Sequence, residues 1–207
     1  LAASSRAIAR LRARSASMQL RSSALTLLAV ARATRASAQS GSGGSVTLSN
    51  PTASSSYAAG WEASNVIDGV FSTKWGSAVT SPNTNWVSVQ VPPGSEIGTV
   101  AVYNRQDNAA YASWLNTFSV HVGVSAGDRA GLCGTASYDS TRALMTPYLI
   151  ACGGIIGGEW VTVMQTACTN NFPSSMCLFS LSEVRVHALA SPPPPPPLSP
   201  PPWPPAS

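Results

Sequence analysis

Val87, Val89 and Val91 alternate with Ser88 and Gln90, the two-residue period of a strand with one buried face. The alternation returns at Val100 and Val102, at Phe118, Val120 and Val122, at Val161 and Val163, and at Val184 and Val186. Turn formers separate these runs: Ser81-Pro82-Asn83, Pro92-Pro93-Gly94, Gly153-Gly154, Gly157-Gly158 and Phe172-Pro173. No stretch carries a sustained 3.6-residue pattern. Several short strands with Gly/Pro turns predict an all-β sandwich. The pattern runs over residues 46–190, a body of about 145 residues that would bury roughly 68% of its unfolded surface around one core. Trp61, Trp75, Trp86, Trp114 and Trp160 are expected mostly to fill that core, with one or two left at a loop end to face a ligand.

The flanks read differently. Residues 39–45 (QSGSGGS) form a flexible Gly/Ser linker by composition. Residues 1–45 as a whole are rich in Ala, Ser and Arg and contain no acid, the composition of a targeting segment. Two readings of it stand side by side. The whole stretch has the character of an organellar transit peptide. From Met18 it reads as a signal peptide, with Arg21, an apolar run over residues 24–31 and Ala36-Ser37-Ala38 as a cleavage site. Residues 191–207 are a proline-rich segment expected to form an extended polyproline II spacer. Its Ser-Pro-Pro-Pro composition resembles hydroxyproline-rich glycoproteins of plant and algal walls, so that cell-wall or matrix proteins become candidate partners. No apolar run approaches the roughly 20 residues of a membrane span.

Charge divides along the same boundaries. The formal +4 is the sum of seven arginines in residues 1–45 and a body with five basic and eight acidic side chains. The body therefore carries −3 and no basic stripe, which argues against a nucleic-acid partner despite a pI near 9.1. The four cysteines, Cys133, Cys152, Cys168 and Cys177, contain no C-x-x-C pair of a zinc or redox site. Of the three connectivities open to them, the local one, Cys133–Cys152 with Cys168–Cys177, is expected. Each loop so closed would contribute about 2.5–3 kcal/mol by the chain-entropy estimate. Disulfides agree with the signal-peptide reading, and secretion is the expected localisation.

The densest chemistry lies in Ala63-Ser64-Asn65-Val66-Ile67-Asp68-Gly69, followed by Ser72-Thr73-Lys74-Trp75 and Asn85-Trp86-Val87. With Pro51 to Tyr57 upstream, these blocks resemble the front half of a galactose-binding-like jelly roll, the superfamily of discoidin (coagulation factor V/VIII C-type) domains and fucolectins. Asn104-Arg105-Gln106-Asp107, Val122-Gly123, the Cys133 and Cys152 spacing and Leu181 to Val186 tilt the resemblance toward the fucolectins. It covers nearly the whole body, from about Val46 to Ala188.

The resemblance implies a calcium site. Asp68 and Glu183 would supply carboxylates, Thr73 a hydroxyl, and Asn65, Val70 and Ser182 backbone carbonyls, tying the first loop to the last strand. Without the resemblance, Asn65 and Asp68 read as ordinary turn caps. It also implies a glycan site. Fucolectins hold fucose with an Arg two positions before an Asp, a second basic residue five positions beyond that Asp, and an upstream His. Arg105 and Asp107 match; the other two positions fall on Ala112 and near Ser77 or Ala78. Asn108, Tyr111 and Trp114 add an amide and ring faces of the kind that stack on sugars. An Arg105–Asp107 structural ion pair is the competing reading, as is Trp114-Leu115 as the start of a core strand. The family's disulfide is missing too, with Trp75-Gly76 and Ser182 at its two ends.

Nothing in the chain has the form of a catalytic motif. The two histidines, His121 and His187, read as outward strand positions, and neither G-x-S-x-G nor H-E-x-x-H occurs. Three functions remain: a calcium-stabilised extracellular module that binds a glycan or glycoprotein, a discoidin-type adhesion domain that binds protein, or an accessory domain of a larger secreted enzyme.

Overall fold

The computed structural model describes residues 42–191 apart from Pro82, Ile156 and residues 169–176. Residues 1–41 of the targeting segment and linker and residues 192–207 of the proline-rich spacer fall outside the described residues. Eleven strands occur among the described residues: β1 (Ser42–Ser45), β2 (Ser49–Ala53), β3 (Trp75–Gly76), β4 (Trp86–Gln90), β5 (Ile97–Tyr103), β6 (Thr117–Gly123), β7 (Gly131–Ser137), β8 (Tyr148–Ile155), β9 (Trp160–Ala167), β10 (Ser180–Leu181) and β11 (Glu183–Leu189). They form a four-stranded sheet ordered β1-β11-β5-β8 and a five-stranded sheet ordered β2-β4-β9-β6-β7. A two-stranded ladder of β10 and β3 completes the fold. Every strand pairing among the described residues is antiparallel.

The core lies between the two large sheets. Val100, Val102, Val184, Val186 and Ile150 face Val87, Val89, Val161, Val163, Phe118 and Val120, all buried. At one end Trp75 meets Phe179 edge-on (5.6 Å, 89°), and Phe118 meets Tyr148 in the same way (5.7 Å, 83°). Of the five body tryptophans, Trp75 alone is fully buried; Trp61, Trp86, Trp114 and Trp160 are half-buried, a correction to the expectation that most would fill the core. Trp86 instead lies over Gly127, where a Cβ would come within 2.9 Å of the indole.

Two further expectations change. Ser42–Ser45, assigned by composition to the linker, is strand β1 paired with β11. Glycine makes this pairing fit, because a Cβ at Gly43 would collide with the Ala188 carbonyl, and one at Gly98 would lie 2.6 Å from it. His121 lies on the outer face of its strand, as its alternation with Val120 and Val122 predicts, but is buried there. The loop over residues 124–130 folds across the outer face of the five-stranded sheet. There Gly127 N donates to Ser88 Oγ (2.9 Å), and the Arg129 carbonyl lies 3.1 Å from His121 Nδ1. The polar face beneath is satisfied internally, with Ser88 and Thr162 hydroxyls 2.8 Å apart and Ser119 Oγ 2.8 Å from His121 Nε2. His187 is half-buried on β11.

The cysteines pair as expected. Cys133 joins Cys152, linking edge strand β7 of one sheet to edge strand β8 of the other, and Cys168 joins Cys177. The first bridge closes the open side of the sandwich and encloses 19 positions of chain, which by loop entropy stabilises it by about 3 kcal/mol.

Candidate functional site

Two segments meet at the end of the sandwich where β5 finishes and β11 begins. One is the connection from β2 to β3, with a short 3-10 helix at Ala63–Val66. The other follows β5 and contains a second 3-10 helix at Ala109–Leu115. Each is fixed by polar side chains of its own, and together they present the aromatic and charged residues of the end face.

The second helix is held at three points. Asn104 Nδ2 donates to the Ala112 carbonyl (3.0 Å), while its Oδ1 accepts from Arg105 N (2.8 Å). Asn108 Oδ1 accepts from Ala110 N (2.9 Å), so Asn108, expected to contact ligand, is a helix cap. Asn116 ends the helix at φ 54° and donates from Nδ2 to the Leu178 carbonyl (2.8 Å). Residues three apart eclipse in a 3-10 helix, which puts Tyr111 and Trp114 on one side, ring centroids 4.5 Å apart. Trp114 therefore belongs to this helix rather than to the following core strand.

The first segment is held by Asn65. Its Nδ2 donates to both the Gly60 carbonyl (3.0 Å) and the Lys74 carbonyl (2.8 Å), tying together the stretches that carry Trp61 and Lys74. The Trp61 ring lies directly on Gly76, where any Cβ would run into it. Trp61 then continues the aromatic row, with Tyr57 at 5.1 Å on one side and Trp114 at 6.4 Å on the other. The outer members, Tyr57 and Tyr111, are 49% and 42% exposed.

Beneath these rings lies the charge that the sequence singled out. Arg105 donates from Nε and Nη2 to the two Asp107 oxygens (2.9 and 2.7 Å), a bidentate pair. Its guanidinium carbon is 5.0 Å from the Trp61 ring, 5.1 Å from Tyr111 and 4.9 Å from Trp114. Three ring faces around one cation form a cage occupied by the protein's own side chain. Arg105 is accordingly only 2% exposed, and its Nη1 has no hydrogen-bond partner.

Sequence reading left Arg105 as the lone cation, with the family's second basic position on Ala112. Ala112 is buried, and the tertiary structure supplies the second charge from another loop. Lys74 Nζ stands 2.8 Å from Asp107 Oδ2 and 4.5 Å from the Trp61 centroid. Burial pushes the Asp107 carboxyl up, but hydrogen bonds and charge from Arg105 and Lys74 outweigh it and hold the group at about 2. The only signal for Lys74 in sequence was that it is the sole cation of the first loop.

The expected cation ligands divide into two groups. Asp68 Oδ1 accepts from Val70 N (2.8 Å), and its Oδ2 accepts from Thr73 Oγ1 (2.8 Å), which also reaches the Val70 carbonyl (2.6 Å). Glu183 Oε2 accepts from Gly69 N (3.3 Å), bringing the last strand to the same loop. Burial pushes the Glu183 carboxyl up, and the Asp68 charge adds to that effect against Gly69 N and Arg185. Asp68, Thr73 and the Val70 carbonyl thus share one hydrogen-bonded turn, and Glu183 reaches the same loop through Gly69 N, all oxygen donors of the type a hard cation takes. Asn65 and Ser182 enter the expected set only as backbone carbonyls; their side chains act separately, Asn65 as the loop clamp and Ser182 Oγ as donor to the Asn104 carbonyl (2.8 Å), which does not bear on those carbonyls. Among the described residues no three His, Cys, Asp or Glu side chains gather as a metal cluster, so a cation here would depend on the hydroxyl and backbone oxygens.

No protein-family model matches the sequence, and no curated protein matches it. Solved structures do match. The family 32 carbohydrate-binding module of C. perfringens NanJ, solved with galactose, superposes with a TM-score of 0.51 at 15% identity, covering 67% of this chain and 92% of that one. A fucose-binding module of Streptococcus pneumoniae, SpX-3, gives 0.51 at 19% identity over 68% of this chain and 94% of its own. The serum fucolectin of striped bass (Morone saxatilis) gives 0.54 at 18% identity over 68% of this chain and 45% of its own, so the match spans less than half of that lectin. At these identities the shared property is the architecture: the chain has the galactose-binding-like β-sandwich fold of carbohydrate-binding modules and fucolectins.

Proposed function

We propose that this domain is a secreted, lectin-like module that binds glycans through the end face formed by Tyr57, Trp61, Lys74, Asp107, Tyr111 and Trp114. The observation that carries the reading is the aromatic row over a charged cluster, with Tyr57 and Tyr111 exposed at its ends. Ring faces stack on the apolar faces of sugars, and fixed charges orient hydroxyl or acid groups. The fold neighbours solved with galactose and described as fucose-binding support the same class of ligand. Arg105 enters this reading as the residue that positions the rings, since its guanidinium is enclosed by them.

Calcium belongs to the proposal as a structural ion. Asp68, Glu183, Thr73 and the Val70 carbonyl would hold it, locking the first loop to β11. Its contribution would be rigidity of the loop that carries Lys74. Secretion is supported by the two disulfides. A glycan array read with and without chelator tests the reading. Binding to a defined glycan class, weakened by chelator, is the expected result.

The enclosure of Arg105 favours one second reading, a discoidin-type protein-binding face on which the exposed Tyr57 and Tyr111 serve as anchors. Capture of a protein partner that free sugars do not displace, with no glycan bound on the array, would establish it instead.

A further inference from the structure

Accepting the glycan-binding reading of this end face, we infer that Lys74 makes the site selective for acidic glycans, those carrying a carboxylate or sulfate group. The charge balance of the cluster and the unequal exposure of its two cations point to this. Asp107 is the one carboxylate in the cluster, and both of its oxygens are taken, Oδ1 by Arg105 and Oδ2 by Arg105 and Lys74 together. Facing it are two cations, with eight N–H donors between them by residue type. The Arg105 Nη1 group makes no hydrogen bond but is buried, whereas the Lys74 ammonium, with three donors, meets Asp107 Oδ2 and stays partly exposed.

Arg105 and Lys74 together therefore carry one positive charge beyond what Asp107 neutralises. Among the described residues neither neighbouring acid forms an ion pair with Lys74. Glu62 turns its Oε1 to Gly60 N (2.8 Å), and Asp68 is engaged with Val70 and Thr73. Because Asp107 is held ionised down to about pH 2, the excess is +1 throughout the neutral range. A neutral sugar can offer the Lys74 ammonium a hydroxyl acceptor but no countercharge. A carboxylate or sulfate brings acceptors alone and matches the surplus.

Lys74 is also the cation placed to meet a ligand. Its side chain is 18% exposed beside a 24% exposed Asp107, whereas Arg105 is sealed at 2%. It stands over Trp61, so a sugar stacked along the aromatic row would bring a ring substituent toward its ammonium.

The test uses the full chain and paired oligosaccharides: uronic-acid oligomers against their carboxyl-reduced neutral counterparts, and sulfated oligomers against desulfated ones. Binding is measured by calorimetry at low and high salt for wild type, Lys74→Gln and Lys74→Arg. One charge-assisted hydrogen bond in such a site predicts roughly tenfold tighter binding of the acidic member. That preference should shrink with salt, fall to near parity in Lys74→Gln and return in Lys74→Arg. The two pairs identify whether carboxylate or sulfate is the group read. Equal binding of acidic and neutral members, or an acidic preference unchanged in Lys74→Gln, overturns the inference and leaves the glycan reading intact. Failure of every oligosaccharide to bind overturns both.

Discussion

Lys74 Nζ lies 2.8 Å from Asp107 Oδ2, joining two loops that the sequence places far apart. With Arg105 on the other side of Asp107, the contact makes a three-member charge cluster under a row of aromatic rings. The cluster sets both the stability of the end face and the chemistry it presents.

Asp107 is the single counter-ion for a buried guanidinium, so Asp107→Asn should be costly. Removing the partner of an enclosed charge costs about 3–5 kcal/mol in fully buried sites. With Asp107 itself 24% exposed, about 2–3 kcal/mol is expected here. The loss should also depend on pH. The folded carboxyl sits at about 2 against 3.8 when unperturbed, so its contribution is present above about pH 4 and disappears as pH falls toward 2. Urea midpoints of wild type and Asp107→Asn at pH 6, 4 and 2 check this, and the two should converge at the acid end.

His121 predicts a second pH effect at higher pH. Burial pushes its pKa below the ordinary 6.5, and the Arg129 charge does the same, while the hydrogen bond with the Arg129 carbonyl and the Asp128 charge pull the other way. The unfolded chain therefore binds a proton more readily than the folded one. Stability is full above pH 6.5 and declines as pH falls through the lowered folded value. A thermal-melt series from pH 8 to pH 5 should show this decline, and His121→Asn should flatten it.

Calcium should raise the melting temperature through Asp68 and Glu183. An ion at a hundred times its dissociation constant adds about 2.7 kcal/mol to a state that alone binds it. Calorimetric melts with calcium and with chelator should differ for wild type and coincide for Glu183→Gln. A shift that survives in Glu183→Gln would place the ion elsewhere.

Gly76→Ala isolates the aromatic row from the charge beneath it. The new methyl would occupy the space of the Trp61 indole. Trp61 must then move, at a stability cost of about 1–3 kcal/mol. Tryptophan fluorescence should change and glycan affinity should fall, with the far-UV spectrum of the sandwich retained.

Much of the fold was legible because its cause is local. Val87-Ser88-Val89 and Val184-Arg185-Val186 alternate visibly, and a strand with one face on the core must alternate. The local disulfide pairing and the Asp68 loop could be read for the same reason, since their partners lie close in the chain. The outward face of His121 could be read from alternation, but not what covers it, here the loop over residues 124–130. Ser42–Ser45 was misread because Gly and Ser suggest a linker unless a neighbouring backbone requires their small size.

Local patterns sufficed for the sandwich and its bridges and offered the pair Arg105–Asp107 as one of two readings, since each depends on neighbours close in the chain. Tertiary structure alone decided what surrounds that pair. It brought Trp61 and Lys74 across from another loop, turned Tyr111 and Trp114 onto the guanidinium, and made Asn65 a clamp and Asn108 a cap. The reason is that charge and ring contacts act through space over about 5 Å, and no periodicity in one loop encodes which side chain of another will stand at that distance.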